Sequence, residues 1–200
     1  MYDAHVPDLT AFVLAGGKSS RMGTDKAFLD FKSQSLLERA LHTLRAVTPE
    51  VMIVGQRTKF EKFAPVVEDV FLERGPLGGI HAALTASATD LNLMLAVDLP
   101  FIEMRFLKFL VKRAHATDAL VILPRAAGGL QPLCSVFRKE VQPIAERALL
   151  RKENKIDLLF NQMKTLVIEE NELKRCNFAL TMFDNLNTRE EYEQAKRKRC

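Results

Sequence analysis

One sequence feature constrains the fold of this chain more than any other. It is a short apolar run that ends at two glycines and continues into a cationic loop. Residues 11–15 are apolar and include β-branched and aromatic side chains, which predicts a buried strand. Gly16 and Gly17 follow, and glycine lets the backbone turn sharply and approach a ligand closely. The next residues include Arg21 and Lys26, and successive backbone N–H groups in such a loop form a nest for anions. The stretch therefore predicts a loop that binds a di- or triphosphate.

The spacing of the glycines excludes two familiar phosphate loops. A Walker A loop has a glycine, four residues and then Gly-Lys-Ser or Gly-Lys-Thr, whereas Gly17 and Gly23 are too far apart and Thr24 follows Gly23. A dinucleotide fingerprint needs Gly-x-Gly-x-x-Gly, and this loop contains no Gly-x-Gly. A glycine-rich turn with solvated cations is the alternative that this stretch alone leaves open.

Length and composition indicate one soluble domain. With 200 residues the chain can bury one sizeable core, so we expect a single domain over residues 1–200. Hydrophobic residues make up 48% and charged residues 27%, and no apolar run is long enough to span a membrane. The first residues lack the basic and apolar regions of a signal peptide. Three scattered cysteines without a Cys-x-x-Cys pair favour a reduced, cytoplasmic setting without structural zinc.

The positive net charge of +4 is compatible with nucleic-acid binding, but the position of the charges favours another interpretation. Much of the excess lies in residues 196–200, a basic tail of the kind that is often solvated and disordered. Only 8% of residues are aromatic and tryptophan is absent, so no base-stacking surface is evident. We interpret the charge as an aid to solubility and an attraction for a small anionic substrate.

The order of predicted elements indicates a βαβ unit and a mostly parallel sheet. A helix is predicted over 35–47, with Ser35 and Glu38 as a capping box, between the first strand and a second strand at 51–55. Further strands are predicted at 66–67, 91–97, 119–123, 131–137 and 166–168, the one at 131–137 being antiparallel. Further helices are predicted at 60–64, 80–88, 103–114, 140–150 and 156–161, with a flexible turn at 125–130.

Asp98 directly follows the most apolar strand. A carboxylate at the carboxyl end of a parallel strand points into the crevice where such sheets bind ligands, and it can hold Mg²⁺ against phosphates. The alternative is an N-cap for the helix that follows. No Ser-His-Asp or Cys-His arrangement is evident, so direct in-line attack on a nucleotide phosphate fits better than a covalent intermediate.

Several motifs together resemble a known enzyme family. The stretch from Leu14 to Lys26 resembles the signature of sugar-phosphate and cofactor nucleotidyltransferases. The rest of the chain narrows this to the molybdenum cofactor guanylyltransferases (MobA-type), by segments in the same order and spacing at residues 75–79, 97–100, 131–133 and 185–188. The resemblance covers nearly the whole chain.

The resemblance implies a fold, a reaction and partners. The fold is α/β, a single-domain Rossmann-like three-layer sandwich of the nucleotide-diphospho-sugar transferase type, with a mostly parallel sheet and one antiparallel strand. The reaction transfers GMP from Mg-GTP to the terminal phosphate of molybdopterin and releases pyrophosphate, with Mg²⁺ as cofactor. GTP and molybdopterin are the substrates, and transient contacts with other cofactor-biosynthesis proteins are expected.

The resemblance also assigns residues to roles. Arg21, Lys26 and Asp98 match the catalytic positions, and Asp98 matches the metal ligand. Asn185 and Asn187 match positions that face the pterin. The residues that match GTP-binding positions are Leu14, Ala15, Gly16, Gly17, Lys26, Asp69, Gly75, Pro76, Leu77 and Gly78.

The chain also departs from the family pattern, and other functions stay open. Gly55 and Gln56 stand where the family often has an amide, and Arg125 is the one basic residue where many relatives carry a basic cluster. The nearest alternative is a related nucleotidyltransferase, acting with CTP on the same pterin or on a sugar phosphate or phospholactate. A non-catalytic GTP-binding regulatory module and a nucleic-acid-binding module are the alternatives from other classes.

Overall fold

The computed structural model describes residues 8–16, 25–31, 33–186 and 191–192, and within them eight strands join one mixed sheet. None of the helices in these segments has both the length and the apolar character needed to cross a membrane. The strands are β1 (Leu9–Leu14), β2 (Val51–Val54), β3 (Val66–Val67), β4 (Leu91–Ala96), β5 (Val121–Ala126), β6 (Gly129–Leu130), β7 (Cys134–Arg138) and β8 (Thr165–Ile168).

The strand order is β3-β2-β1-β4-β7-β5, with β8 added parallel to β5. The pairs β1–β2, β1–β4 and β2–β3 are parallel, which confirms the predicted βαβ unit. β7 runs antiparallel to both β4 and β5 and is the predicted antiparallel strand. β6 forms a two-residue antiparallel hairpin with the end of β5, so the segment expected to be a flexible turn is ordered by backbone pairing.

Helices cover both faces of the sheet and complete the predicted three layers. Alternate residues of β1 point to opposite sides: Ala11 and Val13 pack with α1 and α4, and Phe12 packs with α3. The helices are α1 (Leu36–Arg45), α2 (Arg57–Phe60), α3 (Pro76–Ala86), α4 (Met104–His115), α5 (Gln142–Leu150), α6 (Ile156–Phe160) and α7 (Glu170–Arg175). The capping box at the start of α1 is present, because Ser35 accepts from the Glu38 N–H and Glu38 accepts from the Ser35 N–H.

Two helix predictions need correction, and two short elements were not predicted. The helix expected from residue 80 begins at Pro76, because proline at the first position and the burial of Leu77 outweigh the low helix propensity of two glycines. The short helix expected at 60–64 lies at Arg57–Phe60. Helix α7 and a 3-10 turn at Leu180–Phe183 were not predicted.

Candidate active site

The carboxyl ends of the parallel strands form one edge of the sheet, and the predicted phosphate loop leaves from it. Leu14 ends β1, and its carbonyl accepts the Val97 N–H at 3.2 Å. On the other side the Ala15 N–H donates to the Val54 carbonyl at 3.0 Å. The exposed Gly16 therefore emerges between β2 and β4, at the place where an α/β sheet binds its ligands.

Lys26 and Asp98 face each other at this edge, with 3.9 Å between Nζ and Oδ2. Both side chains are largely shielded from solvent, with 21% and 25% of their surface exposed. Burial raises the pKa of Asp98 above its usual value, although the charge of Lys26 and a backbone hydrogen bond act in the opposite direction. The folded protein therefore stabilises the charged form of Asp98 less than water does. A bound cation would stabilise this charge, as is typical of a functional carboxylate.

Local structure sets the position of Lys26. It begins a 3-10 turn, Lys26–Phe28, whose N-cap is Asp25. The Asp25 Oδ1 accepts the Ala27 N–H at 3.2 Å, and Ala27 is fully buried. Lys26 is therefore anchored through its own backbone rather than carried on a free loop.

Two neighbouring segments hold the backbone around Asp98. The Asp98 carbonyl accepts the Leu186 N–H at 3.1 Å, and the Pro100 carbonyl accepts from Arg39 Nε at 2.5 Å. The first bond brings the exposed Asn185 next to the end of β4. Helix α4 has Glu103 as its N-cap, so the capping alternative for Asp98 is wrong.

Asp69, three strands away from Asp98 along the same edge, is the second under-stabilised carboxylate. Its Oδ1 is buried and has no hydrogen-bond partner among the described residues, and burial raises its pKa. It lies against the first turn of α3, where a Cβ on Gly78 would stand 3.2 Å from Asp69 Oδ1 and 3.0 Å from the Phe71 carbonyl oxygen. Gly78 thus allows the segment 69–71 to approach the helix closely.

The remaining predicted site residues divide into three groups. Gly75 caps α3 with φ of +65°, and Pro76 is its first residue, so both belong to the start of the helix that Asp69 approaches at Gly78. The Leu77 side chain is buried in the core and leaves only its backbone for a substrate contact. The residues outside the described segments are Gly17, Arg21 and Asn187, together with the tail at 196–200.

A divalent cation fits this edge if the substrate supplies most of its ligands. In the described part of the chain no three His, Cys, Asp or Glu residues cluster as a metal site. Mg²⁺ is commonly held by one or two carboxylates together with substrate phosphates and water, and Asp98 provides such a carboxylate. Its raised pKa, caused by burial, agrees with that use.

Three residues that the sequence reasoning missed support the site. Asp25 caps the turn of Lys26, Lys59 lies 2.8 Å from Asp25, and Arg39 holds the Pro100 carbonyl. The position of Asp25 directly before Lys26 was a usable signal. Lys59 and Arg39 carry no local signal, because their partners are distant in sequence.

Comparison with known proteins assigns the family. The family described as the MobA-like NTP transferase domain matches residues 11–166. The chain belongs to this family. A relative from Carboxydothermus hydrogenoformans, named "Probable molybdenum cofactor guanylyltransferase", is 32% identical over 192 residues, which cover 94% of both proteins.

Solved structures agree on the fold. The crystal structure of molybdopterin-guanine dinucleotide biosynthesis protein A from Archaeoglobus fulgidus has a TM-score of 0.81 and 24% identity, and covers 94% of this chain and 97% of that chain. A Mycobacterium tuberculosis protein in complex with manganese has a TM-score of 0.63 and 15% identity, and covers 96% of this chain and 100% of that chain. The family and the α/β fold expected from the motifs of this MobA-like transferase are thus confirmed.

Proposed function

We propose that the protein transfers GMP from Mg-GTP to the terminal phosphate of molybdopterin and releases pyrophosphate. The observation that carries the proposal is the Lys26–Asp98 pair, one cation and one raised-pKa carboxylate 3.9 Å apart at the ligand-binding edge of the sheet. The name of the Carboxydothermus hydrogenoformans relative, which matches along nearly the whole chain, supports the choice of nucleotide and acceptor.

The reaction is an in-line displacement in which this chain orients the two substrates and neutralises the charge of their phosphates. An oxygen of the acceptor's terminal phosphate bonds to the α-phosphorus of GTP, the bond from that phosphorus to the bridging α–β oxygen breaks, and pyrophosphate leaves. Lys26 stabilises charge on the phosphates, and Arg21 is assigned the same role by its place in the motif. The backbone N–H groups of the loop from Gly16 onward are assigned to the triphosphate by their place in the motif, because the Ala15 N–H already donates to the Val54 carbonyl. Asp98 would hold the divalent cation, proposed as Mg²⁺, which would supply further charge neutralisation.

Asp69 supports guanine as the base. Guanine presents two adjacent donors, N1–H and the N2 amino group, and a carboxylate can accept both. Adenine and cytosine lack this pair of donors, so neither would pair with the Asp69 carboxylate in the same way. The under-stabilised carboxylate is therefore matched to the charge-assisted hydrogen bonds that guanine makes.

The acceptor side is assigned to the other end of the edge. Asn185 lies next to Asp98 through the Leu186 hydrogen bond, so an acceptor phosphate held there would face the metal ligand. Asn187 shares this assignment by its place in the motif. The base and the acceptor would thus lie on opposite sides of Lys26 and Asp98, and in-line attack would place the acceptor oxygen opposite the leaving pyrophosphate.

The test is pyrophosphate release from Mg-GTP with and without molybdopterin, compared with CTP and ATP. We expect release only when GTP and the pterin are both present. Asp69→Asn should lower kcat/KM for GTP by about 10- to 100-fold, because a charge-assisted hydrogen bond is worth roughly 1.5–3 kcal/mol. Glu68→Gln is the matched control, since Glu68 is exposed and paired with Arg57.

Each alternative has its own result in this assay. A preference of the wild type for CTP would identify a cytidylyltransferase and refute the role given to Asp69. Release with a sugar phosphate or phospholactate instead of the pterin would change the acceptor. Tight GTP binding without release, with every acceptor tried, would identify a regulatory module and refute the proposal.

A further inference from the structure

We propose that Lys59 is a positioning residue for Lys26, acting through Asp25. The inference rests on the proposed function, because it assumes that Lys26 contacts the triphosphate. Lys59 lies on α2, outside the glycine-rich loop and outside every motif that carries the family resemblance. Its Nζ lies 2.8 Å from Asp25 Oδ2, across 34 residues of sequence.

Both oxygens of Asp25 are engaged in this arrangement. Oδ1 accepts the Ala27 N–H at 3.2 Å and so caps the 3-10 turn that begins with Lys26. Oδ2 pairs with Lys59. The side chains of Asp25 and Lys59 are 22% and 43% exposed, so the two charges form a partly shielded ion pair.

Aromatic packing holds α2 against the same turn. The Phe28 ring, at the end of the turn, lies 5.7 Å from the Phe60 ring and 6.0 Å from the Phe63 ring, centroid to centroid. Phe60 in turn packs on Gly55, where an added Cβ would stand only 2.7 Å from the ring. The glycine that departs from the family's amide therefore makes room for the helix that carries Lys59.

The charge of Asp25 explains why Lys59 matters for the nucleotide. Without Lys59, an uncompensated carboxylate would stand next to Lys26, where it attracts the lysine and repels the triphosphate. Both effects weaken the binding of Mg-GTP more than they weaken the fold, because the pair lies at the rim of the core. Lys59 thus neutralises the capping carboxylate so that the charge of Lys26 is directed to the substrate.

The experiment measures Mg-GTP binding and steady-state kinetics for four variants. Lys59→Met should raise both Kd and KM for Mg-GTP by about fivefold, the size of a partly shielded ion pair. Lys59→Arg should stay within about twofold of the wild type because it keeps the charge. The control Lys62→Met removes one positive charge from an exposed residue three positions further on and should change neither constant.

The double variant separates charge compensation from a structural role. If Lys59 acts by neutralising Asp25, then Asp25→Asn with Lys59→Met should bind Mg-GTP more tightly than Lys59→Met alone. A double variant no better than Lys59→Met, or an equal loss in Lys62→Met, would overturn the proposal. Absence of nucleotide binding by the wild type would refute both proposals, whereas binding without transfer would refute only the proposed function.

Discussion

Replacing Asp98 with asparagine should stabilise the ligand-free protein and strongly lower its activity. The attraction of Lys26 at 3.9 Å is worth roughly 4 kcal/mol at an effective dielectric constant of about 20. Burial nonetheless raises the pKa of Asp98, so the cost of removing the carboxylate from water exceeds what Lys26 returns. We expect Asp98→Asn to increase the free energy of unfolding on the order of 1 kcal/mol, or about 2–4 °C in Tm for a chain of this size.

The same substitution should remove the proposed metal ligand. Loss of one preorganised electrostatic contact to a transition state costs about 2.7–4 kcal/mol in known enzymes, so we expect a fall in kcat of roughly 100- to 1,000-fold. Thermal unfolding with and without Mg-GTP connects the two effects. The nucleotide should raise the Tm of the wild type by more than it raises the Tm of Asp98→Asn, because ligand binding stabilises only as far as the ligand binds the folded state.

The pH dependence of stability tests whether the charge of Asp98 destabilises the folded protein. A carboxyl group whose pKa is raised by folding binds its proton more tightly in the folded state. Its unfavourable contribution is therefore complete above the folded pKa and disappears below the ordinary value of 3.8. The stability gap between Asp98→Asn and the wild type should shrink as the pH falls through this window. The reasoning would be refuted if ligand-free Asp98→Asn had a lower Tm than the wild type at neutral pH, or if the variant kept full activity.

Two further predictions concern α3 and α1. Gly78→Ala should raise KM for GTP several-fold, because its Cβ would stand 3.0 Å from the Phe71 carbonyl oxygen. Gly79→Ala, whose Cβ would make ordinary contacts at 3.6 Å, should leave KM unchanged, and steady-state kinetics of the two variants test this. Ser35→Ala should lower the free energy of unfolding by about 1 kcal/mol through loss of the helix cap and leave kcat/KM unchanged, as denaturant titration and the pyrophosphate assay would show.

Local sequence patterns predicted an element correctly where its local conformational preference agrees with its tertiary environment. The apolar runs that became β1, β2 and β4 and the Ser35–Glu38 capping box were predicted to within a few residues. The start of α3 was misplaced, because the glycines at its first turn oppose a helix and only burial of Leu77 against the neighbouring helices α5 and α6 compensates. The hairpin at the end of β5 was missed for a similar reason, since its order comes from pairing across strands.

The sequence by itself determined which chemistry meets at the edge of the sheet. Gly16 and Asp98 each follow an apolar strand, and parallel pairing brings the carboxyl ends of such strands together. The sequence therefore predicts that the proposed phosphate loop and the candidate metal ligand belong to one site.

Only the tertiary structure decided how far each charged group of the candidate site is buried and which partner it has. The pairing of Lys59 with Asp25, and the burial that leaves Asp69 Oδ1 without a partner, depend on how helices settle on the sheet. Burial sets the cost of each charge, and the distance to a partner sets what is recovered. Both quantities arise from contacts between segments far apart in the chain, so no local pattern of residues carries them.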